Sequence, residues 1–89
     1  MATEIEQIKK KIIYRSNYRG TKEMDKLLGA FTNKYLDKLN YEDLNDLINF
    51  LEIDDNNLYN FYNGLKTDIK IKDNKINNLF KNFKYEKND

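Results

Sequence analysis

Proline is absent from this 89-residue chain, and glycine occurs only as Gly20, Gly29 and Gly64. Turn-rich β folds use these two residue types at many of their turns, so a β fold is disfavoured. Apolar residues instead recur at intervals of three and four, which is the spacing of one face of an α-helix. The sequence therefore predicts an all-α fold.

Five segments have this helical spacing, and together they predict a small single-domain five-helix bundle. The domain is expected to cover residues 1–89, with a core over about residues 5–83 and a frayed C-terminal tail. Seven Tyr and five Phe indicate that aromatic rings fill much of that core. The apolar positions are Ile5, Ile8, Ile12 and Ile13 in the first segment; Met24, Leu27, Leu28, Phe31, Tyr35, Leu36 and Leu39 in the second, which runs from Thr21 to Leu39; Leu44, Leu47, Ile48 and Leu51 in the third; Leu58, Tyr59, Phe61 and Tyr62 in the fourth; and Ile76, Leu79, Phe80 and Phe83 in the fifth.

Polar residues and glycine mark the expected helix ends. Asn40, followed three residues later by Asp43, resembles a capping box. The adjacent carboxylates of Asp54 and Asp55 suit a helix start, and we interpret both as capping residues. Gly64 is predicted to stop the fourth helix in the left-handed conformation.

The segment between the fourth and fifth helices has an ambiguous pattern. Ile69 and Ile71 alternate with lysines in residues 65–72, as in a strand, but a single strand has no partner here. We interpret the segment as a linker that packs the two isoleucines. Asp73 is then predicted to cap the last helix.

Two glycines lie in the first part of the chain, one between the first two helical segments and one within the second. Gly20 is interpreted as a break between them, as a place where a partner's backbone approaches, or as both. Gly29 stands between Leu28 and Ala30, and it is predicted to permit close packing of two helices.

Composition excludes several classes of function. Cysteine and histidine are both absent, which removes disulfides, thiolate nucleophiles, imidazole catalysis and the commonest zinc ligand sets. Ser16 has no base partner in the sequence, so no enzyme is predicted, and no metal site is expected. A net charge of +1 disfavours nucleic acid as a partner.

No apolar run approaches the roughly 20 residues that span a bilayer, so membrane insertion is not expected. The N-terminus carries Glu4 and Glu6 and lacks the apolar region of a signal peptide. We expect a monomer in a bacterial cytoplasm, with the mitochondrial matrix as the alternative.

The only two arginines, Arg15 and Arg19, stand four residues apart among fourteen lysines. Arginine retained against this bias suggests a need for its planar, five-donor side chain. Glu23 lies four residues further on, so the three side chains are predicted to form one helical stripe. The stripe is either an intrahelical ion pair between Arg19 and Glu23 or a surface that grips a protein partner.

The segment Arg19-Gly20-Thr21-Lys22-Glu23, followed by Met24-Asp25, resembles the signature of the SdhE family of succinate dehydrogenase assembly factors. The similarity continues on both sides. Upstream lies Lys11-Ile12-Ile13-Tyr14-Arg15-Ser16; downstream lie Leu27-Leu28-Gly29-Ala30-Phe31, Leu51-Glu52 through Asp55, Leu58-Tyr59 and Gly64. Phe61 stands where relatives often carry tryptophan, Asn17 replaces an aromatic residue, and the usual prolines near position 56 and after 64 are missing.

The resemblance implies a five-helix protein that holds no cofactor and binds the flavoprotein subunit of succinate dehydrogenase, and in some members that of fumarate reductase. There it promotes covalent attachment of FAD to a histidine of that subunit. The implied partner-binding residues are Arg15, Arg19, Gly20, Glu23, Asp25, Tyr59 and Phe61. On this interpretation Arg19 is a surface residue, and its replacement leaves the melting temperature nearly unchanged.

Two alternatives stay open on the residues alone. A generic helical adaptor would use the surface formed by Arg15, Arg19 and Glu23 for an unrelated protein. A small RNA-binding protein would use the mixture of tyrosine and lysine for base stacking.

Overall fold

The computed structural model describes residues 3–85, which form five α-helices and one 3-10 turn. The helices are α1 (Glu4–Asn17), α2 (Lys22–Tyr35), α3 (Tyr41–Phe50), α4 (Asp55–Tyr62) and α5 (Lys75–Lys81), and the 3-10 turn is Leu36–Lys38. Helix α1 packs against α2 and α3, while α5 packs against α3 and α4. The predicted all-α, five-helix fold is confirmed.

Short-range caps set most helix starts. The Thr21 hydroxyl accepts a hydrogen bond from the Met24 N–H at 3.2 Å and so begins α2. At α3 the Asn40 side chain accepts from the Asp43 N–H at 2.8 Å, and the Asp43 carboxylate accepts from the Asn40 N–H at 3.4 Å. This reciprocal pair is the predicted capping box.

Gly64 ends α4 as predicted. Its φ of 73° lies in the left-handed region, where a side chain is unfavourable. The Leu65 N–H donates to the Asn60 carbonyl at 2.7 Å and the Gly64 N–H to the Phe61 carbonyl at 3.2 Å. These two bonds form a Schellman motif, which satisfies carbonyls that the end of a helix leaves free.

Two predicted helix ends are wrong. Helix α2 ends at Tyr35 rather than Leu39, because the chain tightens into the 3-10 turn, from which Leu36 still reaches the core. Helix α5 is capped by Asn74 and not by Asp73. The Asn74 backbone is extended, as a cap requires, and its side chain accepts from the Asn77 N–H at 2.8 Å.

Phe80 of α5 lies at the centre of an aromatic core. Its buried ring contacts Phe31 of α2 at 5.3 Å, Phe50 of α3 at 5.2 Å and Tyr62 of α4 at 5.1 Å between ring centroids. Phe83 also packs on Phe31, although it lies just beyond the end of α5. The prediction that aromatic rings build the core is confirmed.

Three predicted core isoleucines are largely exposed. Ile5 and Ile13 are 42% and 46% exposed, since the face of α1 that meets the core carries Ile8 and Ile12. The segment between α4 and α5 has no regular structure, and there Ile69 is 45% exposed while Ile71 packs against the core. The linker interpretation is therefore confirmed for only one of its two isoleucines.

Helices α1 and α2 approach each other closely at two places. A Cβ atom added to Gly29 would lie 2.7 Å from the Asn17 side-chain oxygen, so the prediction of close packing at Gly29 is confirmed. The buried hydroxyls of Ser16 and Thr32 are 2.6 Å apart and share a hydrogen bond between the two helices. This contact joins the last turn of α1 to the last turn of α2.

Candidate partner-binding site

The signature residues lie on three separate structural elements. Arg15 is in the last turn of α1, Arg19 is in the link between α1 and α2, and Glu23 is in the first turn of α2. The predicted helical stripe is therefore wrong, and so is an intrahelical pair between Arg19 and Glu23. The break at Gly20 is confirmed, and it separates the residues that a continuous helix would have aligned.

The guanidinium of Arg19 points into the protein. Its Nε donates to Asp55 Oδ1 at 2.8 Å, and its Nη2 donates to the Ile53 carbonyl at 2.8 Å. Its Nη1 donates to the carbonyls of Leu51 and Arg15 at 2.9 and 3.1 Å. Only 10% of the side chain is exposed, so the expectation that Arg19 is a surface residue is wrong.

Two carboxylates hold the backbone of the same link. Asp55 Oδ2 accepts a hydrogen bond from the Gly20 N–H at 2.6 Å. Asp25, in the first turn of α2, accepts from the Arg19 N–H. We call Arg19, Gly20, Asp25 and Asp55 the Arg-Gly clasp, since these four residues join the α1–α2 link to α2 and to α4.

Gly20 leaves room for the clasp to close. A Cβ atom added at this position would lie 2.9 Å from Asp55 Oδ2, closer than carbon and oxygen normally approach. Of the glycines in residues 3–85, only Gly64 has a positive φ, so the conformation of Gly20 does not by itself require glycine. The contact with Asp55 favours glycine, because a Cβ atom would push the Asp55 carboxylate away from the Gly20 N–H.

Arg15 makes a more exposed ion pair beside the clasp. Its Nη1 donates to Glu52 Oε1 at 2.7 Å, and the two side chains are 35% and 55% exposed. The pair joins α1 to the link between α3 and α4. It leaves part of both charged groups open to another molecule.

Glu23 and Tyr59 line one groove, although 36 residues separate them in the chain. The groove has a volume of about 330 Å³ and lies between the first turns of α2 and the end of α4, where Tyr62 and Tyr85 also line it. Tyr59 is 46% exposed. Glu23 is exposed, and its carboxylate has no hydrogen-bond or ion-pair partner among residues 3–85. We call this feature the α2–α4 groove.

Phe61 does not line the α2–α4 groove. Its half-buried ring packs against Phe50 at 6.0 Å, and the Lys81 ammonium lies 5.6 Å from the ring centroid. The structure therefore brings Glu23 together with Tyr59, and Arg19 together with Gly20 and Asp25. It leaves Phe61 apart from both groups.

Asp54 and Asp55 have different roles despite their identical side chains. Asp54 caps α4 by accepting from the Asn57 side chain at 2.7 Å and from the Asn57 N–H at 3.2 Å. These bonds, the side-chain bond first, hold the pKa of Asp54 below its ordinary value of 3.8. The interpretation as a capping residue is confirmed for Asp54 but wrong for Asp55, whose carboxylate serves the clasp.

Asp55 is the residue of this site that the sequence analysis missed. Nothing in local spacing links it to Arg19, because the pairing crosses 36 positions. One signal in the sequence could have indicated its role. Asp54 and Asp55 stand together at a helix start that needs only one capping residue, so the other carboxylate is available for a different contact.

The described part of the chain offers neither a metal centre nor a membrane span. Residues 3–85 contain no cluster of three or more acidic side chains with metal-binding geometry. None of the helices in that range has the length and apolar character needed to cross a bilayer.

The fold and the site define a small all-α protein with an internal clasp beside an open groove. Residues 10–84 match a family described as flavinator of succinate dehydrogenase, and the chain belongs to this family. The resemblance stated from the signature residues is confirmed.

Individual relatives agree with the family. The chain is 37% identical over 59 residues to a mitochondrial succinate dehydrogenase assembly factor 2 of Dictyostelium discoideum, a match that covers 66% of this chain and 42% of that protein. It is 36% identical over 56 residues to the FAD assembly factor SdhE of Acetobacter pasteurianus, which covers 63% of this chain and 51% of that protein. A mitochondrial succinate dehydrogenase assembly factor 2 of Aspergillus flavus is also 36% identical over 56 residues, covering 63% of this chain and 19% of that protein.

The chain thus spans about half or less of the length of these relatives. No solved structure matches it significantly.

Proposed function

We propose that this protein binds the flavoprotein subunit of succinate dehydrogenase and promotes covalent attachment of FAD to that subunit. The observation that carries the proposal is the family match over residues 10–84, which includes the whole Arg-Gly clasp and all of the residues that line the α2–α4 groove except Tyr85. The names of the relatives, which refer to succinate dehydrogenase assembly and FAD assembly, support it. A fumarate reductase flavoprotein is a second client to test in the same way.

The protein acts on its client by binding and without a catalytic group of its own. The flavoprotein subunit must hold a histidine, the isoalloxazine ring and stabilising charges together for the bond to form. A factor that binds this arrangement more tightly than the open one raises its population. FAD belongs to the client, and the factor works as a monomer.

The α2–α4 groove is the contact surface in this proposal. Glu23 offers an exposed carboxylate to a donor on the client, and Tyr59 offers a large ring beside it. Arg15 contributes its partly exposed charge. Arg19, Gly20 and Asp25 support this surface through the Arg-Gly clasp, and Phe61 stays a prediction because its ring lies outside the groove.

The relatives include a bacterial protein and a mitochondrial protein, so two compartments are candidates for this chain. We propose the bacterial cytoplasm for this chain, with the mitochondrial matrix as the alternative. Fractionation of the source cells, with the protein detected by antibody, decides between them.

The test is co-expression with the flavoprotein subunit in a host that lacks its own factor. In-gel flavin fluorescence under denaturing conditions reports covalent FAD. We expect the signal to rise with the wild-type protein and to fall about tenfold with Glu23→Gln at limiting factor, because one lost interface contact of this kind weakens binding by about that factor.

Glu42→Gln is the matched control. Glu42 is an exposed acidic residue at the second position of α3, as Glu23 is at the second position of α2. We expect Glu42→Gln to retain the wild-type signal. No rise in covalent flavin with a folded wild-type factor would reject the proposed function and favour an adaptor for another protein. Equal losses in the two variants would reject the groove as the contact surface.

A further inference from the structure

Asp55 joins α4 to the link that leads into α2, and these two helices line the α2–α4 groove. Its carboxylate accepts from Arg19 Nε and from the Gly20 N–H, both in the link that leads into α2. Asp55 is also the first residue of α4, and Tyr59 follows it one helical turn later on the same face. Glu23 follows Gly20 by three residues, just inside α2.

The carboxylate of Asp55 is not needed to cap α4. Helix α4 is capped by Asp54, which already accepts from the Asn57 N–H. The Asp55 side chain is 22% exposed, and both of its oxygens are engaged by the link. A carboxylate held in this way by a guanidinium and a backbone N–H forms strong, charge-assisted bonds with a fixed geometry.

We infer that Asp55 is a positioning residue through which Arg19 and Gly20 act, because it sets the distance between Glu23 on α2 and Tyr59 on α4. The inference rests on the proposed function for its activity readout. It gives the signature glycine a cause within the protein, because a side chain at residue 20 would push Asp55 Oδ2 away from the Gly20 N–H. Asp25 holds the other side of the link, through the Arg19 N–H.

A direct structural test uses amide hydrogen exchange on the isolated protein. Asp55→Ala removes both acceptors, so we expect the Gly20 amide to exchange at least about tenfold faster while buried amides of α2 and α3 keep their rates. Asp55→Asn is the second variant if the alanine form does not fold. It keeps the shape of the side chain but replaces one acceptor with a donor. An unchanged Gly20 exchange rate in the folded variant would overturn the inference, whatever the flavoprotein does.

The activity test is a double-mutant cycle on FAD attachment to the purified flavoprotein subunit. The variants are Gly20→Ala, Asp55→Ala and their combination, assayed at a temperature at which circular dichroism shows all of them folded. We expect each single variant to raise the half-saturating factor concentration about tenfold and to leave the rate at saturation unchanged. The half-saturating concentration of the double variant should be within about threefold of that of the weaker single variant, because the clash with the added Cβ atom disappears when the carboxylate is removed.

Asp54→Ala is the control for stability alone. It removes the cap of the same helix but leaves the clasp intact, so we expect a wild-type half-saturating concentration. Effects of Gly20→Ala and Asp55→Ala that multiply to about a hundredfold would overturn the coupling. An equal loss with Asp54→Ala would also overturn it, because helix stability would then explain both results. A wild-type factor that attaches no FAD rejects the proposed function instead, and the exchange test still decides the role of Asp55.

Discussion

Arg19 connects three parts of the chain through one side chain. Its guanidinium donates to the end of α1, to the link between α3 and α4 and to the first residue of α4. Four of its five N–H donors are used, and their acceptors lie in different directions. Only a planar, branched cation meets this requirement, which explains why arginine stands here in a chain that otherwise uses lysine.

Arg19→Lys should therefore destabilise the protein although the charge is kept. One ammonium cannot reach all four acceptors, and we expect a loss of about 2–4 kcal/mol in the free energy of unfolding. Urea titration followed by circular dichroism measures it. Arg15→Lys is the matched control, with an expected loss below about 1 kcal/mol because its single ion pair is exposed. Equal losses for the two variants would contradict the internal role of Arg19.

Asp54 contributes to the acid sensitivity of the fold. Hydrogen bonds from Asn57 lower the pKa of Asp54 in the folded state below its ordinary value of 3.8. Its contribution to stability is thus complete above pH 3.8 and is lost as the pH falls through the lower, folded-state pKa. Asp54→Asn keeps a capping oxygen but does not titrate.

We expect the urea midpoint of the wild-type protein to fall more steeply than that of Asp54→Asn over this acid range. At higher pH the urea midpoints of the two proteins should change with pH by the same amount. Parallel curves throughout the acid range would show that the Asp54 carboxylate adds nothing to stability. The same measurement on Asp46→Asn, a partly buried acid in the middle of α3, provides the comparison.

The ends of the helices depend on contacts within a few residues, and α4 gives the clearest test. Gly64 has a positive φ, and a Cβ atom added there would meet nothing within 4 Å. Gly64→Ala therefore changes the conformational energy without adding a clash. We expect the free energy of unfolding, measured by urea titration, to fall by about 1–2 kcal/mol, and to fall by less for Gly64→Asn. A loss below about 0.3 kcal/mol for Gly64→Ala would argue against the left-handed cap.

Local signals of this kind predict a helix boundary where a cap marks it, and they miss a boundary that has none. The starts of α2 and α3 and the end of α4 agree with the sequence because Thr21, Asn40 and Gly64 contact residues no more than four positions away. The end of α2 differs because Leu36 and Leu39 keep their helical spacing while they reach the core from an irregular turn. The spacing of apolar residues alone does not distinguish a helix that continues from a helix that ends in a 3-10 turn.

The short helices are stable only as parts of one core. Helix α5 has seven residues and α4 has eight, fewer than an isolated helix needs in water. Phe80 contacts aromatic rings of α2, α3 and α4. It therefore makes the stability of α5 depend on the whole molecule.

Phe80→Ala should destabilise the entire protein rather than α5 alone. We expect a loss of about 3–5 kcal/mol, and a smaller loss of about 1–2 kcal/mol for Phe80→Leu, which fills part of the same space. Far-UV circular dichroism and tyrosine fluorescence should report one common transition. Separate transitions by the two probes would show that α5 unfolds independently of the rest.

At this scale the sequence predicted the class of the molecule but not the arrangement of its site. The all-α fold, the aromatic core and the family follow from apolar spacing and from the signature around Arg19, and the structure and the comparisons confirm them. The common stripe of Arg15, Arg19 and Glu23 is wrong. It assumed a helix that continues through Gly20.

The sequence by itself determined which five segments are helical, because apolar spacing and most caps involve neighbours within about four residues. Only the tertiary structure decided that Arg19 faces inward, that Asp55 and not Glu23 is its partner, and that Glu23 meets Tyr59 across a groove. These pairings join residues about 36 positions apart. Their geometry follows from how α1, α2 and α4 pack, and no local spacing records it.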